Sequence, residues 1–122
     1  MDLLSSEAMA VKELPVVRTR GVCCGLPEVD ARWAEDAAGL MRVLADPTRL
    51  TMVASLLKAE APICICDFTA GFGLSQPTIS HHMAKLKAAG LVESEKHGIW
   101  VYYRLGTEVP PATLQLLRQL IA

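Results

Sequence analysis

Two pairs of closely spaced thiols carry the most distinctive chemistry in this chain: Cys23 beside Cys24, and Cys64 one residue away from Cys66. Thiolates are soft ligands suited to thiophilic metal ions. The second pair lies just ahead of Leu74-Ser75-Gln76-Pro77-Thr78-Ile79-Ser80-His81-His82, a stretch with the marks of a DNA-reading helix-turn-helix. A soft-ion site beside such a helix implies a switch in which ligand occupancy controls DNA binding.

A lone cysteine most often behaves as a small hydrophobe in a core, so packing is the competing explanation for either pair. Geometry restricts the ligand reading too. Residues i and i+2 of a regular helix point well apart, because each step turns by about 100°. Cys64 and Cys66 can share one ion only near a frayed or distorted helix start, which Pro62 favours. Cys23 and Cys24 could swing in from a mobile arm as further ligands. Thiol redox regulation uses the same residues, with a Cys23–Cys24 or cross-arm disulfide in place of a metal. Arg18 and Arg20 are the cations nearby that would activate those thiols. An enzyme is the third class, and the chain offers no nucleophile–base pair, Gly-rich phosphate loop or Cys-x-x-Cys to support it.

With 122 residues, 52% hydrophobic and 20% charged, the chain fits one ordered domain with one core. Its formal charge of −1 gives no global basic signature. The charge is uneven, however: from Ser75 to Arg104, Lys85, Lys87, Lys96 and Arg104 outweigh Glu93 and Glu95, giving +2 where DNA contact is expected. No apolar run reaches transmembrane length, and the mixed charges of Asp2, Glu7, Lys12 and Glu13 do not form a secretory leader. The expectation is a cytoplasmic protein with reduced thiols and no membrane partner.

These residues need elements to position them. Residues 1–26, with Pro15, Gly21 and Gly25, read as a flexible N-terminal arm, with a short helix near Ser6 to Glu13; residues 27–122 form the folded domain. Pro27 suits the first turn of a helix running to about Leu44, with Trp33, Ala37, Leu40, Met41 and Leu44 at helical spacing. Asp46-Pro47 opens a second helix through Leu57, and a third runs from about Cys64 to Ala70 before Gly71 and Gly73. Ser75 caps a fourth, ending at Gly90, whose inward face is Ile79, Met83, Leu86 and the stem of Lys87. Two β-prone segments follow with Lys96-His97-Gly98 as their turn, and Pro110-Pro111 starts a last helix carrying Leu114, Leu117, Leu120 and Ile121. The expected fold is mainly α with a small β-hairpin, in the order ααααββα, a winged helix-turn-helix.

In that fold Gln76 to Ala89 is the recognition helix. Gln76, Thr78, Ser80, His81, His82 and Lys85 are placed to meet base edges or phosphates, with Ser75 and Thr78 at a helix start that attracts anions. Lys96 and His97 on the hairpin would meet adjoining phosphates as a wing. The plainer reading is a helical hairpin whose polar residues merely face solvent; a turn, a polar helix front, a Gly stop and a basic-tipped hairpin in order favour the winged helix.

The chain resembles the ArsR/SmtB family of metal-responsive winged-helix repressors over about Ala34 to Arg104. The likeness runs through Leu44-Ala45-Asp46-Pro47-Thr48-Arg49-Leu50, Cys64-Ile65-Cys66-Asp67, the stretch from Ser75 to His82, Leu86 to Val92, and Trp100-Val101-Tyr102-Tyr103-Arg104. The resemblance implies a homodimer joined through its first and last helices, bound to operator DNA when free of metal. Arsenic-sensing members carry Cys-x-Cys-Asp-x-x-Cys on the third helix. Cys64 and Cys66 match its first two ligands, while Thr69 occupies the third position. Cadmium- and lead-sensing members combine the Cys-x-Cys with cysteines of the N-terminal arm, the role open to Cys23 and Cys24. Three thiolates suit arsenite or antimonite as inducer, the first choice; four suit cadmium or lead, the alternative. The His and carboxylate ligands of the zinc-sensing branch are absent from Pro110 to Ala122.

Overall fold

The computed structural model describes residues 20–23 and 25–121. The short helix expected near Ser6 to Glu13, most of the arm and Cys24 lie outside the described residues. Five helices and three short strands follow: α1 (Ala31–Leu44), α2 (Pro47–Lys58), β1 (Ile63–Cys64), α3 (Ile65–Phe72), α4 (Gln76–Ala88), β2 (Val92–His97), β3 (Trp100–Leu105) and α5 (Pro111–Ile121).

Caps set the helix boundaries. Asp30 is extended and accepts a hydrogen bond from the Arg32 backbone N–H at 2.9 Å, so α1 begins at Ala31 rather than at Pro27. Asp46 accepts from the Arg49 backbone N–H at 2.9 Å, with Pro47 in the first turn, as the sequence leads one to expect. Between α3 and α4, Gly73 takes the left-handed conformation with φ 63°. A side chain there would be strained, and this one residue makes the tight helix-turn-helix corner possible.

The expected hairpin is present as β2 and β3, and β1 adds a third strand to it. The sheet has three antiparallel strands in the order β1-β3-β2, with Ile63 opposite Tyr103 and Cys64 opposite Tyr102. The order is therefore ααβααββα. Two residues are too short a run for side-chain alternation to reveal, and their pairing depends on a strand almost forty positions away. The hairpin turn also lies one residue later than Lys96-His97-Gly98. His97 pairs with Trp100, leaving Gly98 and Ile99 as the two-residue loop. Gly98 alone has positive φ, 63°, as a II′ turn requires at its first central position.

The core gathers one face from each layer: Met52, Val53 and Leu56 of α2, Phe68 of α3, Ile79, Met83 and Leu86 of α4, Val92 and Tyr103 of the sheet, and Leu117 of α5. Spacings of four and three residues place Ile79, Met83 and Leu86 on one stripe of α4, pinning its orientation. Lys87 is exposed instead of laying its stem inward, and its ammonium donates to the Ser94 hydroxyl of β2 at 2.9 Å. The outer helices are less covered: Trp33 and Met41 on α1, and Leu116 and Leu120 on α5, stand in solvent in the single chain. No described helix is long and apolar enough to cross a membrane.

Candidate nucleic-acid interface and thiol site

The buried stripe of α4 decides what its other side presents. Gln76, Thr78, His81 and Lys85 are exposed, and Thr78, His81 and Lys85 follow one another along one flank at spacings of three and four. Ser75 caps the helix, its hydroxyl 3.4 Å from the Thr78 backbone N–H and 2.9 Å from the Thr78 hydroxyl. Ser80 is half-buried. His82 turns inward, its Nδ1 3.3 Å from the Arg49 guanidinium of α2. A guanidinium only donates, so His82 Nδ1 is the acceptor, and the imidazole carries its proton on Nε2.

Arg49 was not singled out from its sequence position, yet it clamps α4. Its Nε donates to the Val43 carbonyl of α1 at 2.6 Å while its Nη1 meets His82, so one side chain ties α1, α2 and α4 together. The Asp46 carboxyl is held below the ordinary carboxylate range, chiefly by the Arg49 backbone N–H, with the charge of Arg49 adding to it. The signal lay in Asp46-Pro47-Thr48-Arg49, which the sequence offers as a helix start and as part of the family likeness.

On the wing, Lys96 and His97 are exposed, and Ile99 at the tip is 84% exposed. The charges of the wing are partly paired with one another. Arg104 faces Glu93 at 3.6 Å and Glu95 at 3.5 Å, and His97 lies 3.5 Å from Glu95. Glu93 also accepts from the Thr107 backbone N–H at 2.9 Å, the main cause of its lowered pKa. Among the described residues this leaves Lys85 and Lys96 as the cations of the region without a protein partner.

The thiols Cys64 and Cys66 meet at a strand-to-helix junction. Cys64 closes β1 in an extended conformation, φ −69° and ψ 144°, and Cys66 sits in the first turn of α3. That break in regular helix brings together side chains that a continuous helix would send apart. The Cys66 thiol donates to the Cys64 sulfur at 2.8 Å. Cys64 is buried and Cys66 exposed. The hydrogen bond to Cys64 pushes the Cys66 thiol above its ordinary pKa, with desolvation and the Asp67 charge acting the same way. Thr69, at the third ligand position of the arsenic motif, donates its hydroxyl to the Ile65 carbonyl at 3.0 Å. Cys23 is exposed, and no cluster of three or more His, Cys, Asp or Glu side chains forms among the described residues. The donor set fits a soft ion held by two thiols, with further ligands still required.

Comparison with known proteins places this arrangement. Residues 46–94, spanning α2, β1, α3, α4 and the start of β2, match the family model described as bacterial regulatory protein, arsR family. The chain is 45% identical over 71 residues to an arsenic resistance transcriptional regulator of Pseudomonas putida, a match covering 58% of this chain and 55% of that protein. It is 44% identical to the arsenical resistance operon repressor of Escherichia coli, covering 58% of this chain and 60% of the relative. These matches span somewhat more than half of either relative's length. A putative arsenical resistance operon repressor of Halobacterium salinarum is matched more fully, 30% identical with 86% of this chain and 88% of that one covered. Among solved structures, HlyU from Vibrio cholerae aligns with a TM-score of 0.64 at 27% identity, covering 75% of this chain and 97% of that one. A homodimeric winged helix-turn-helix DNA-binding domain from Mycobacterium bovis aligns at 0.60 and 26% identity, covering 80% and 89%.

Proposed function

Since the chain belongs to the ArsR/SmtB family of bacterial regulatory proteins, we propose that it is a homodimeric transcriptional repressor, released from its operator when a soft metalloid or metal binds Cys64 and Cys66. The observation that carries this reading is the convergence of the two sulfurs, 2.8 Å apart, at the head of the helix that leads through Gly73 into α4. Gln76, Thr78, His81 and Lys85 read or grip DNA, with Ser75 at the helix start and Ser80 a turn further on. Lys96 and His97 extend the contact along the wing. His82 serves the interface indirectly, by fixing α4 against Arg49. The apolar residues left in solvent on α1 and α5 supply the dimer face.

Arsenite or antimonite is the first choice of inducer, supported by the arsenical-resistance names of the relatives and by the matching Cys-x-Cys. With Thr69 committed to the backbone, a third thiolate comes from Cys23 or Cys24, on the same chain or the partner subunit. Cadmium and lead are the alternatives, served by both arm cysteines together. A thiol-redox repressor is the second reading, favoured by the contact between the two sulfurs.

The test is operator binding, using the DNA flanking the protein's own gene, titrated with arsenite, antimonite, cadmium, lead and zinc in reducing buffer. Release by arsenite or antimonite at the lowest concentration is the expected result. Response to peroxide alone, with no ion effective, would replace metal sensing by redox sensing; no DNA binding in any condition would remove the repressor reading itself.

A further inference from the structure

We propose that Tyr102 is the positioning residue that carries the state of the Cys64–Cys66 pair to the wing, an inference that rests on the metal-sensing reading above. Cross-strand partners share a face of a sheet, so Cys64 of β1, Tyr102 of β3 and Glu95 of β2 stand side by side in one row. The Tyr102 ring also makes an edge contact with His97, its diagonal neighbour on that face, with centroids 5.6 Å apart and planes at 79°. His97 in turn pairs with Trp100 and borders the Gly98–Ile99 tip. One continuous run of contacts therefore joins the thiol site to the end of the wing.

The thiol pair has reason to move. Here the Cys66 thiol is in direct contact with the Cys64 sulfur, so an ion taken up by both must break that contact and reposition the two side chains around itself. Cys64 is buried and held in β1, whose strand partner is β3. On the inner face Tyr103 is buried in the core, which anchors β3 on that side. The outer side of Tyr102 borders an open depression of about 510 Å³ lined by Ala61, Pro62, Glu95 and His97. Displacement of Cys64 is thus resisted inward and free to pass outward, through the Tyr102 ring to His97.

Trp100, half-exposed at the wing, reports on this route. The chain has two tryptophans, so during cadmium titration of the reduced full-length protein, the background protein, Trp100 emission is taken as the difference from the same protein carrying Trp100→Phe. Cadmium–thiolate absorption reports binding in the same samples, and operator release is read by anisotropy. Trp100 emission should change in step with thiolate absorption and stay silent with Cys64→Ser added. With Tyr102→Leu, cadmium absorption should saturate as before, while the Trp100 change is lost and operator release falls from the ~5–150-fold usual for such coupling to about twofold. Tyr102→Phe, which keeps the ring, should restore both. Saturating absorption with silent Trp100 in the background protein, or a full response in Tyr102→Leu, would overturn the relay while leaving metal sensing intact. If Tyr102→Leu does not fold, Tyr102→His decides, since a ring of altered size should weaken the response without abolishing binding; an undiminished response overturns the relay. Absence of thiolate absorption with cadmium and with arsenite alike would remove the sensing reading and the relay with it.

Discussion

At the scale of single residues, the sulfur pair and the exposed flank of α4 make separable predictions. Cys64→Ser and Cys66→Ser should each leave operator binding intact and abolish the response to ions, because a hydroxyl keeps the size of the thiol and is a poor ligand for a soft ion. Replacing Cys23 and Cys24 together should weaken the response without removing it. The two ion classes also differ in proton balance. Cadmium displaces the thiol protons, so its affinity should rise with pH across the neutral range. Near neutrality, arsenous acid exchanges each hydroxyl for a thiol and releases water with no net proton, so arsenite affinity should be nearly flat. Isothermal titration in buffers of different ionisation enthalpy checks both, and a steep pH dependence for arsenite would show that chemistry to be wrong.

The residues proposed to face DNA divide in the same way. Gln76→Ala or His81→Ala should cost ~1–3 kcal/mol of operator affinity if the side chain meets a base edge, with the salt dependence little changed. Lys85→Ala should weaken binding to all sequences and reduce the slope of log affinity against log salt by about 1. Parent-like binding by all three folded variants would mean that another surface reads the DNA.

At the scale of elements, capping and turn geometry hold α4 and its neighbours in place. Asp46 caps α2, and Glu93 fastens β2 to the Thr107 backbone. Both carboxyls have pKa values lowered in the folded state. Their contribution is therefore complete above the unfolded carboxylate pKa and is lost as pH falls through the lower folded values. The thermal midpoint should drop below about pH 4, and Asp46→Asn with Glu93→Gln should lower it at neutral pH and flatten its acid dependence. Gly73→Ala forces a Cβ into the left-handed region and should cost ~1–2 kcal/mol of stability. Chemical denaturation measures that cost, and an unchanged midpoint would mean that the corner relaxes without strain. Helix positions were legible in the sequence because caps, prolines and glycines act on their immediate neighbours. β1 was not legible, for Ile63 and Cys64 become a strand only by meeting Tyr103 and Tyr102.

At the scale of the molecule, α5 joins the core through Leu117 and leaves Leu116 and Leu120 outside. Leu120→Glu combined with Trp33→Glu should give a folded monomer by sedimentation, with much weaker operator binding, since two half-sites gripped at once bind far more tightly than one. A persistent dimer would place the subunit interface elsewhere. Within the chain, the buried stripe of Ile79, Met83 and Leu86 orients α4 against that core, so the exposure of Thr78, His81 and Lys85 is set by packing as much as by their own chemistry.

The sequence by itself determined the order of the helices, the caps at Asp46 and Ser75, the inward stripe of α4 and the family to which the chain belongs, since these depend on local spacing and short-range backbone chemistry. Tertiary structure alone decided that Cys64 and Cys66 converge, because a strand ends where a helix begins. It also turned His82 toward Arg49, set Arg104 against two glutamates and placed Tyr102 beside Cys64. Each of these is a meeting of side chains from separate elements, or the fine geometry of a junction. Residue type and spacing specify which groups are available, but the packing of the whole chain chooses which of them touch.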